Sequence, residues 1–314
     1  MTTQETFLVG DARIIKVPEL ALDTVDATQL FPEGDIGALN SDATHWGEQS
    51  FDFERGLLRQ SIHAWAVQTP THTVLIDTAT GNDKQRPTAP LFHQLEEPFL
   101  ERLQAVGISP EAVDFVLLTH LHADHVGWNT RLQGGHWVPT FPNARYIFSE
   151  HEYAYNLALF REREVVASIQ QQAGMGTPRH EPLDGVFEDS VMPIVEAGLD
   201  QRIVIDNSVI EGFCFHSTPG HSIDHASISL TSRGETALFW GDIMHHPLQF
   251  RRPEINSIYC EFPQAAQRSR HKAMQLASEL DAQVFTTHFG DSSVGRVSRH
   301  AHGFDWQFIQ GVRP

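Results

Sequence analysis

A chain of 314 residues with 40% hydrophobic and 10% aromatic content can bury a sizeable core, in one large domain or two modest ones. Its formal charge of −18 opposes nucleic acid and anionic membrane as partners, and no Lys/Arg run offsets that field. No apolar run reaches membrane-spanning length, residues 1–10 carry no secretory pattern, and Cys214 and Cys260 are expected as buried thiols in a reducing compartment, so the expected location is the cytoplasm.

Residues 1 to about 55 read as an irregular preface, with a strand candidate over 7–17 and then Asp/Thr/Gly/Pro-rich sequence through Pro32 and Gly34 to Trp46. No Ser/Gly or Lys-rich linker sets it apart, so it is taken as part of the same domain, as a lid or a subunit contact, which leaves room for a homodimer. Strands are expected over 62–68 and 73–77, joined at Pro70-Thr71 in hairpin fashion, with Asp77 ending the second before a turn-rich loop. A helix fits 91–106, where Leu91, Leu95, Phe99, Leu103 and Val106 approach helical spacing and Gly107 stops it. The run 113–118 is apolar on both faces and reads as an interior strand. Beyond it Trp128, Trp137 and Phe141 lie in a Gly/Pro-rich loop, followed by a strand over 144–148, one or two helices over 150–172 and a long connection over 174–189. A second strand-rich block is expected at 203–206, 212–217, 226–231 and 236–240. It is followed by a helix over 264–280, a strand over 284–287 and a last strand near Arg296. Two strand-then-helix halves make an α/β chain with helices outside stacked sheets.

The densest chemistry is Thr119-His120-Leu121-His122-Ala123-Asp124-His125-Val126-Gly127. A shuffled chain with 19 His and 19 Asp in 314 residues holds roughly 0.004 His-x-His-x-Asp-His matches, so a merely polar turn is a poor account of it. In extended backbone His120 and His122 face one side and can share an ion. Asp124 and His125 follow where the chain turns toward a helix, aimed at a second position. Further on, His221, Asp242 and His288 each stand just past an expected strand. Singly such residues are more often turn or capping groups, yet together they supply five His and two Asp, enough for two zinc-like ions with one bridging carboxylate. Imidazole and carboxylate suit Zn, Fe, Mn or Co, and no thiolate stands at these positions.

This pattern resembles the metallo-β-lactamase superfamily, an αββα sandwich, over about residues 60 to 290. The likeness implies a single domain over 1–314 with residues 1–55 packed on it as an N-terminal extension. It makes Asp77 a structural acid, places His120, His122 and His221 on one metal and Asp124, His125 and His288 on the other, and makes Asp242 the bridge. True β-lactamases commonly have Cys where Asp242 stands, flavodiiron oxidoreductases usually have Glu at the position of His122, and the nucleases carry an inserted domain. The nearest resemblance is to methyl parathion hydrolase-like enzymes and N-acyl homoserine lactone lactonases. The lactonases often have Tyr three residues after the bridging Asp, where this chain has His245.

Two divalent ions would acidify a bridging water to attack an ester, lactone or phosphotriester, with Asp124 or His245 donating to the leaving group. His225 is expected to orient a ligand, His246 to be structural or exposed, and His300 and His302 to be tail residues. Trp128, Trp137, Phe141 and Phe250 are more often core than pocket, although nearness to the motif favours the first two as pocket walls. His245, the flanking aromatics and the acidic chain together point to small uncharged esters, lactones or aryl phosphotriesters, ahead of phosphomonoesters, nucleotides or β-lactams. The rival readings are a metal-dependent thioesterase or dioxygenase of the same fold, and a metal-containing effector with incidental hydrolysis.

Overall fold

The computed structural model describes residues 5–301 and 303–312. In chain order the strands are β1 (Thr6–Val9), β2 (Ala12–Val25), β3 (Phe51–Asp52), β4 (Leu57–Gln68), β5 (Thr73–Ile76), β6 (Phe115–Leu117), β7 (Thr130–Gln133), β8 (His136–Pro139) and β9 (Arg145–Ser149). They continue as β10 (Asp200–Ile203), β11 (Ser208–Ile210), β12 (Phe213–Ser217), β13 (Ala226–Ser232), β14 (Glu235–Phe239), β15 (Gln283–Phe285), β16 (Val294–His300) and β17 (Gly303–Phe308). The first sheet runs β1-β2-β4-β5-β6-β9-β10 with β3 beside β4, the second runs β11 through β17 in sequence order, and β7 and β8 form a separate hairpin. Pairing is antiparallel as far as β5 in the first sheet and parallel from β5 to β10.

Alternation along the strands explains the layers. Ile14, Trp65, Val74, Ile76, Leu117 and Ile147 face the second sheet and pack on Phe213, Phe215, Ile228, Phe239 and Phe285. Their neighbours Ile15, Ala64, Leu75, Val116, Tyr146 and Phe148 face the other way, onto Phe99 and Leu103 of helix Phe99–Ala105 and onto Val191 and Ile194. On the far side of the second sheet, Leu238, Val284 and Trp306 meet Ala273, Met274 and Ala277 of helix Pro263–Glu279. A strand covered on both faces must be apolar at successive positions, which is why 113–118 reads as a continuous apolar run. The result is the expected αββα sandwich.

Several expectations about local structure are corrected. The preface is not irregular throughout: β1 and β2 form a hairpin, and the 14-residue β2 pairs with β4 along most of its length. A register shift between Pro18 and Leu20 accommodates a residue without an amide donor, and a second shift falls between Leu22 and Val25. The helix expected over 91–106 is only Phe99–Ala105, after a single turn at Pro90–Phe92. Pro98 sits directly before it, and a proline disfavours helical backbone in the residue it follows. Of the strand expected at 203–206 only Ile203 is extended, as the last residue of β10, which joins the first sheet parallel to β9 rather than the second. Trp137 lies in β8, not in a loop. His300 ends β16 exposed at the tail, and His302 lies outside the described residues. Among the described residues no helix is long and apolar enough to cross a membrane.

Candidate metal centre

One rim of the sandwich collects the ends of β5, β6, β12, β14 and β15, and each delivers a polar side chain just past its last residue: Asp77, His120, His221, Asp242 and His288. Asp77 holds a left-handed backbone, φ 55°, and its carboxylate accepts from the Thr119 amide at 2.8 Å, the Thr119 hydroxyl at 2.8 Å and His125 Nδ1 at 2.8 Å. Through these contacts it braces His120 and His125. Gly241, φ 53°, lets the chain pass close to His225 and Thr119, which a Cβ would meet at 2.7 and 2.8 Å, and so brings Asp242 inward.

The ring nitrogens follow from their fixed partners. His120 Nδ1 donates to the Thr119 hydroxyl at 3.0 Å, because that hydroxyl already donates to Asp77. His125 Nδ1 donates to Asp77, and His288 Nδ1 donates to the Ser61 carbonyl at 3.2 Å. In its neutral form each therefore presents a bare Nε2 to the centre. His122 is reversed: its Nε2 lies 2.8 Å from Glu261 Oε1, and its Nδ1 is turned inward, 2.8 Å from His221 Nε2. Asp242 sits between the two groups, 3.1 Å from His125, His221 and His288. Asp124 reaches the same place from the cavity side, 3.6 Å from His288 Nε2.

Burial, then the neighbouring imidazoles, holds His120 well below the ordinary histidine value, while burial leads the lowering of His122 and His221. For His125 and His288 burial acts the same way, but nearby carboxylates, Asp242 above all, overcome it and raise both. Asp242 stays ionised: burial would raise it, and the surrounding histidines pull it well below the usual carboxylate range. Four overlapping groups have ligand atoms within 4.8 Å of one another: His120/His122/His221, His120/His125/Asp242, Asp124/His125/His288 and His221/Asp242/His245. His120 Nε2, His125 Nε2 and Asp242 Oδ1 are buried with no hydrogen-bond partner. Converging lone pairs repel one another, and unpartnered buried acceptors are costly. Divalent cations answer both problems, so this donor set fits them.

All seven residues read from the sequence as ligands meet here, and His245 joins them. Its Nε2 lies 3.2 Å from Asp242 Oδ2, its ring stacks on His288 at 5.2 Å, and burial lowers its basicity. His225 accepts the Asp242 amide at 2.9 Å and so fixes that residue's backbone. His246 is buried, bonded to the Ser50 carbonyl. The pocket walls expected of Trp128 and Trp137 are a correction, whereas Phe141 and Phe250 lie in the core as expected. Trp128 stacks on Phe99, Trp137 lies under the Lys84 ammonium, Phe141 packs by Tyr146, and Phe250 stacks between Trp240 and Trp306. The cavity above the cluster, about 260 Å³, is lined instead by Leu22, Ile62, Leu91, Phe92, Leu183 and Tyr259, with His122, Asp124, His221, Asp242, His245 and His288 at its polar end. A larger open groove of about 710 Å³ near Arg268 and Lys272 contains none of these ligands.

Sequence reading missed the supporting carboxylates. Glu19, buried on β2, accepts from the amides of Thr80 and Gly81 at 2.8 and 2.9 Å and from the Trp128 indole at 2.6 Å. Glu152 accepts from the Ser222 hydroxyl and the Asp224 amide, bracing the His221 loop. Glu261 backs His122. Their partners are remote in sequence, so no local signal marks them.

Known proteins resemble this chain in sequence and in fold. The chain is 30% identical to the N-acyl homoserine lactonase AiiB of Agrobacterium fabrum over 139 residues, 40% of this chain and 46% of that protein. It is 28% identical to the lactonase of the same name from Rhizobium rhizogenes over the same shares. The chain thus spans about half the length of the curated relatives it matches. Among solved structures, the hydrolase AbOPH of the beta lactamase superfamily has a TM-score of 0.77 at 25% identity, covering 98% of both chains. AidC, a dizinc quorum-quenching lactonase, has a TM-score of 0.70 at 19% identity, again over 98% of both, and at that distance shows the fold alone. A family model described as the metallo-beta-lactamase superfamily matches residues 58–288, which takes in the cluster from Asp77 to His288, and the chain belongs to that superfamily.

Proposed function

We propose that the chain is a dinuclear metal-dependent hydrolase of small uncharged esters, lactones or phosphotriesters. The observation that carries this is the convergence of five imidazoles and two carboxylates on one point at the end of a cavity. His120, His122 and His221 would hold one ion, Asp124, His125 and His288 the other, and Asp242 both, with Zn, Fe, Mn or Co as the fitting metals. When bound, two such ions supply an acidified water as nucleophile and positive charge for the oxygen that becomes anionic.

The chain's own groups do the rest. Ionised Asp242 keeps the two halves together, and Asp77 and Glu261 fix the rings that face them. Asp124 and His245 line the cavity's polar end, where either reaches the leaving oxygen and can carry its proton. Tyr259, a phenol neutral at pH 7 and raised further by partial burial and then by the charge of Asp124, stacks beside His245 and can serve as a hydrogen-bond donor. The walls opposite are largely aliphatic and exclude water from one side of the substrate. At about 260 Å³ the cavity is small beside the usual ~300–1,000 Å³ of ligand sites. Aliphatic walls beside the centre favour an apolar acyl or alkyl group on the substrate. The lactonase names of the curated relatives support this reading.

The test is metal analysis of chelator-free protein followed by turnover on lactones, alkyl and aryl esters, phosphotriesters and phosphomonoesters. About two ions per chain and a preference for neutral esters, lactones or phosphotriesters are expected. One ion, or a preference for phosphomonoesters, would reject the reading.

A further inference from the structure

Four of the five clustered histidines present Nε2 to the centre, and His122 alone presents Nδ1. That reversal has to be held from behind, because a neutral imidazole carries its proton on either nitrogen and only the inner one can bind an ion. The group behind it is Glu261, whose side chain has no exposed surface and whose Oε1 lies 2.8 Å from His122 Nε2.

The same residue also holds the neighbouring ligand. The Glu261 amide donates to the His221 carbonyl at 3.0 Å, the Phe262 amide donates to the Gly220 carbonyl at 2.8 Å, and Cys260 Sγ lies 4.0 Å from His221 Nδ1. The backbone of residues 260–262 is therefore pinned to the His221 loop while the Glu261 side chain grips His122. The 2.8 Å approach of His122 Nδ1 to His221 Nε2 is set from this one segment. From the other direction the Glu261 carbonyl accepts the Arg179 amide at 2.7 Å, and residues 180–183 just beyond it line the cavity.

We propose that Glu261 is the positioning residue for the first ion: it selects the Nε2–H tautomer of His122 and aims Nδ1 into the centre. This rests on the dinuclear reading above. What the role requires is a hydrogen-bond acceptor at that point, so the amide carbonyl of Glu261→Gln can replace the carboxylate, whereas the shape-matched Glu261→Leu offers none.

The experiment is ¹⁵N-histidine NMR of wild type, Glu261→Gln and Glu261→Leu, without metal and with two equivalents of zinc. It is run alongside competitive zinc titration, with the metal-free Tm of each variant measured as a folding control. Wild type and Glu261→Gln are expected to show His122 protonated at Nε2 and metallated at Nδ1. In Glu261→Leu a mixed tautomer is expected, with first-ion affinity weakened ~10–100-fold, the range typical of lost outer partners, and the second ion changed less than about threefold. A purely packing role would lower Tm without altering the tautomer, and that result overturns the proposal. So does unchanged zinc affinity in Glu261→Leu, or wild-type His122 protonated at Nδ1, which can be read even if a variant fails to fold. Wild type that binds fewer than two zinc ions would instead sink the dinuclear reading and this inference with it.

Discussion

Replacing Glu19 tests how strongly the first sheet braces the motif. The carboxylate is 3% exposed and takes three donors, the amides of Thr80 and Gly81 and the Trp128 indole, with Thr80 and Trp128 themselves 1% and 5% exposed. Each buried donor left unpaired costs about 1–3 kcal/mol. A simple sum overshoots, since neighbours are not additive and water can enter the space left behind. Burial also raises the Glu19 pKa, so the ionised carboxylate carries a desolvation cost that its removal recovers. Glu19→Ala is therefore expected to destabilise by about 3–4 kcal/mol. Glu19→Gln is expected to cost about 1–3 kcal/mol, because an amide keeps one acceptor but turns an N–H toward donors. The sign of the pH effect follows: a carboxyl raised above its unfolded value contributes stability that is full below about pH 4.5 and is lost as pH rises through its folded pKa. Urea unfolding at fixed m-value measures all three proteins. A Glu19→Ala loss under about 1 kcal/mol would refute the bracing argument.

Asp242→Ala removes the one carboxylate close to both groups, so loss of at least one ion and nearly all turnover is expected, while His300→Ala, at the exposed tail, changes neither; metal analysis with kinetics checks both. Stripping metal with a chelator is expected to lower Tm, because the unpartnered His120, His125 and Asp242 atoms then lie buried together, and an unchanged Tm in calorimetry would speak against ions as their partners. Lys84, held by Thr130 and Asp189, is drawn down to about 7 by burial, against the pull of Asp189 and helped by Arg86. A base depressed on folding makes stability rise with pH from its folded toward its unfolded value. Wild type is thus expected to gain about 2 kcal/mol on Lys84→Met between pH 7 and 9 in urea titrations, and a constant difference would contradict it. His245→Ala is expected to slow substrates with poor leaving groups far more than nitrophenyl ones, seen as a steeper kcat/KM dependence on leaving-group pKa; equal losses, or a lost ion, would recast His245 as structural or as a ligand.

The parts legible in the sequence are those whose signal is local. His120 and His122 declare themselves by two-residue spacing after an apolar run, and the interior strands by being apolar on both faces. The failures have equally definite causes. Apolar spacing over 91–106 imitates a helix, but Pro98 confines helical backbone to the residues after it. β2 looked irregular beyond Val17 because Pro18 sits at a register shift that lets the strand continue. Trp128 is only three residues from His125, yet the turn between them points its indole back to Glu19 and Phe99, so nearness in sequence misplaced it. Glu19 and Glu261 act across 61 and 139 residues, a relation that no window of sequence contains.

Those distant contacts decide what kind of centre this is. A ring nitrogen aimed inward is useful only if the opposite nitrogen is held, and here the holders come from separate elements: Asp77 through Thr119 and His125, the Ser61 carbonyl on β4 for His288, and Glu261 before the last long helix for His122. Asp242 in turn depends on His225 for its backbone and on Gly241 for room. No single strand or loop could preserve the donor set if the two sheets slid apart. The affinity of the centre and the packing of the sandwich therefore draw on one set of contacts, so ions that bind only the assembled rim must stabilise the whole fold. That coupling gives a physical reason for the rim to carry so many buried polar groups, which would be a liability to the fold if nothing bound there.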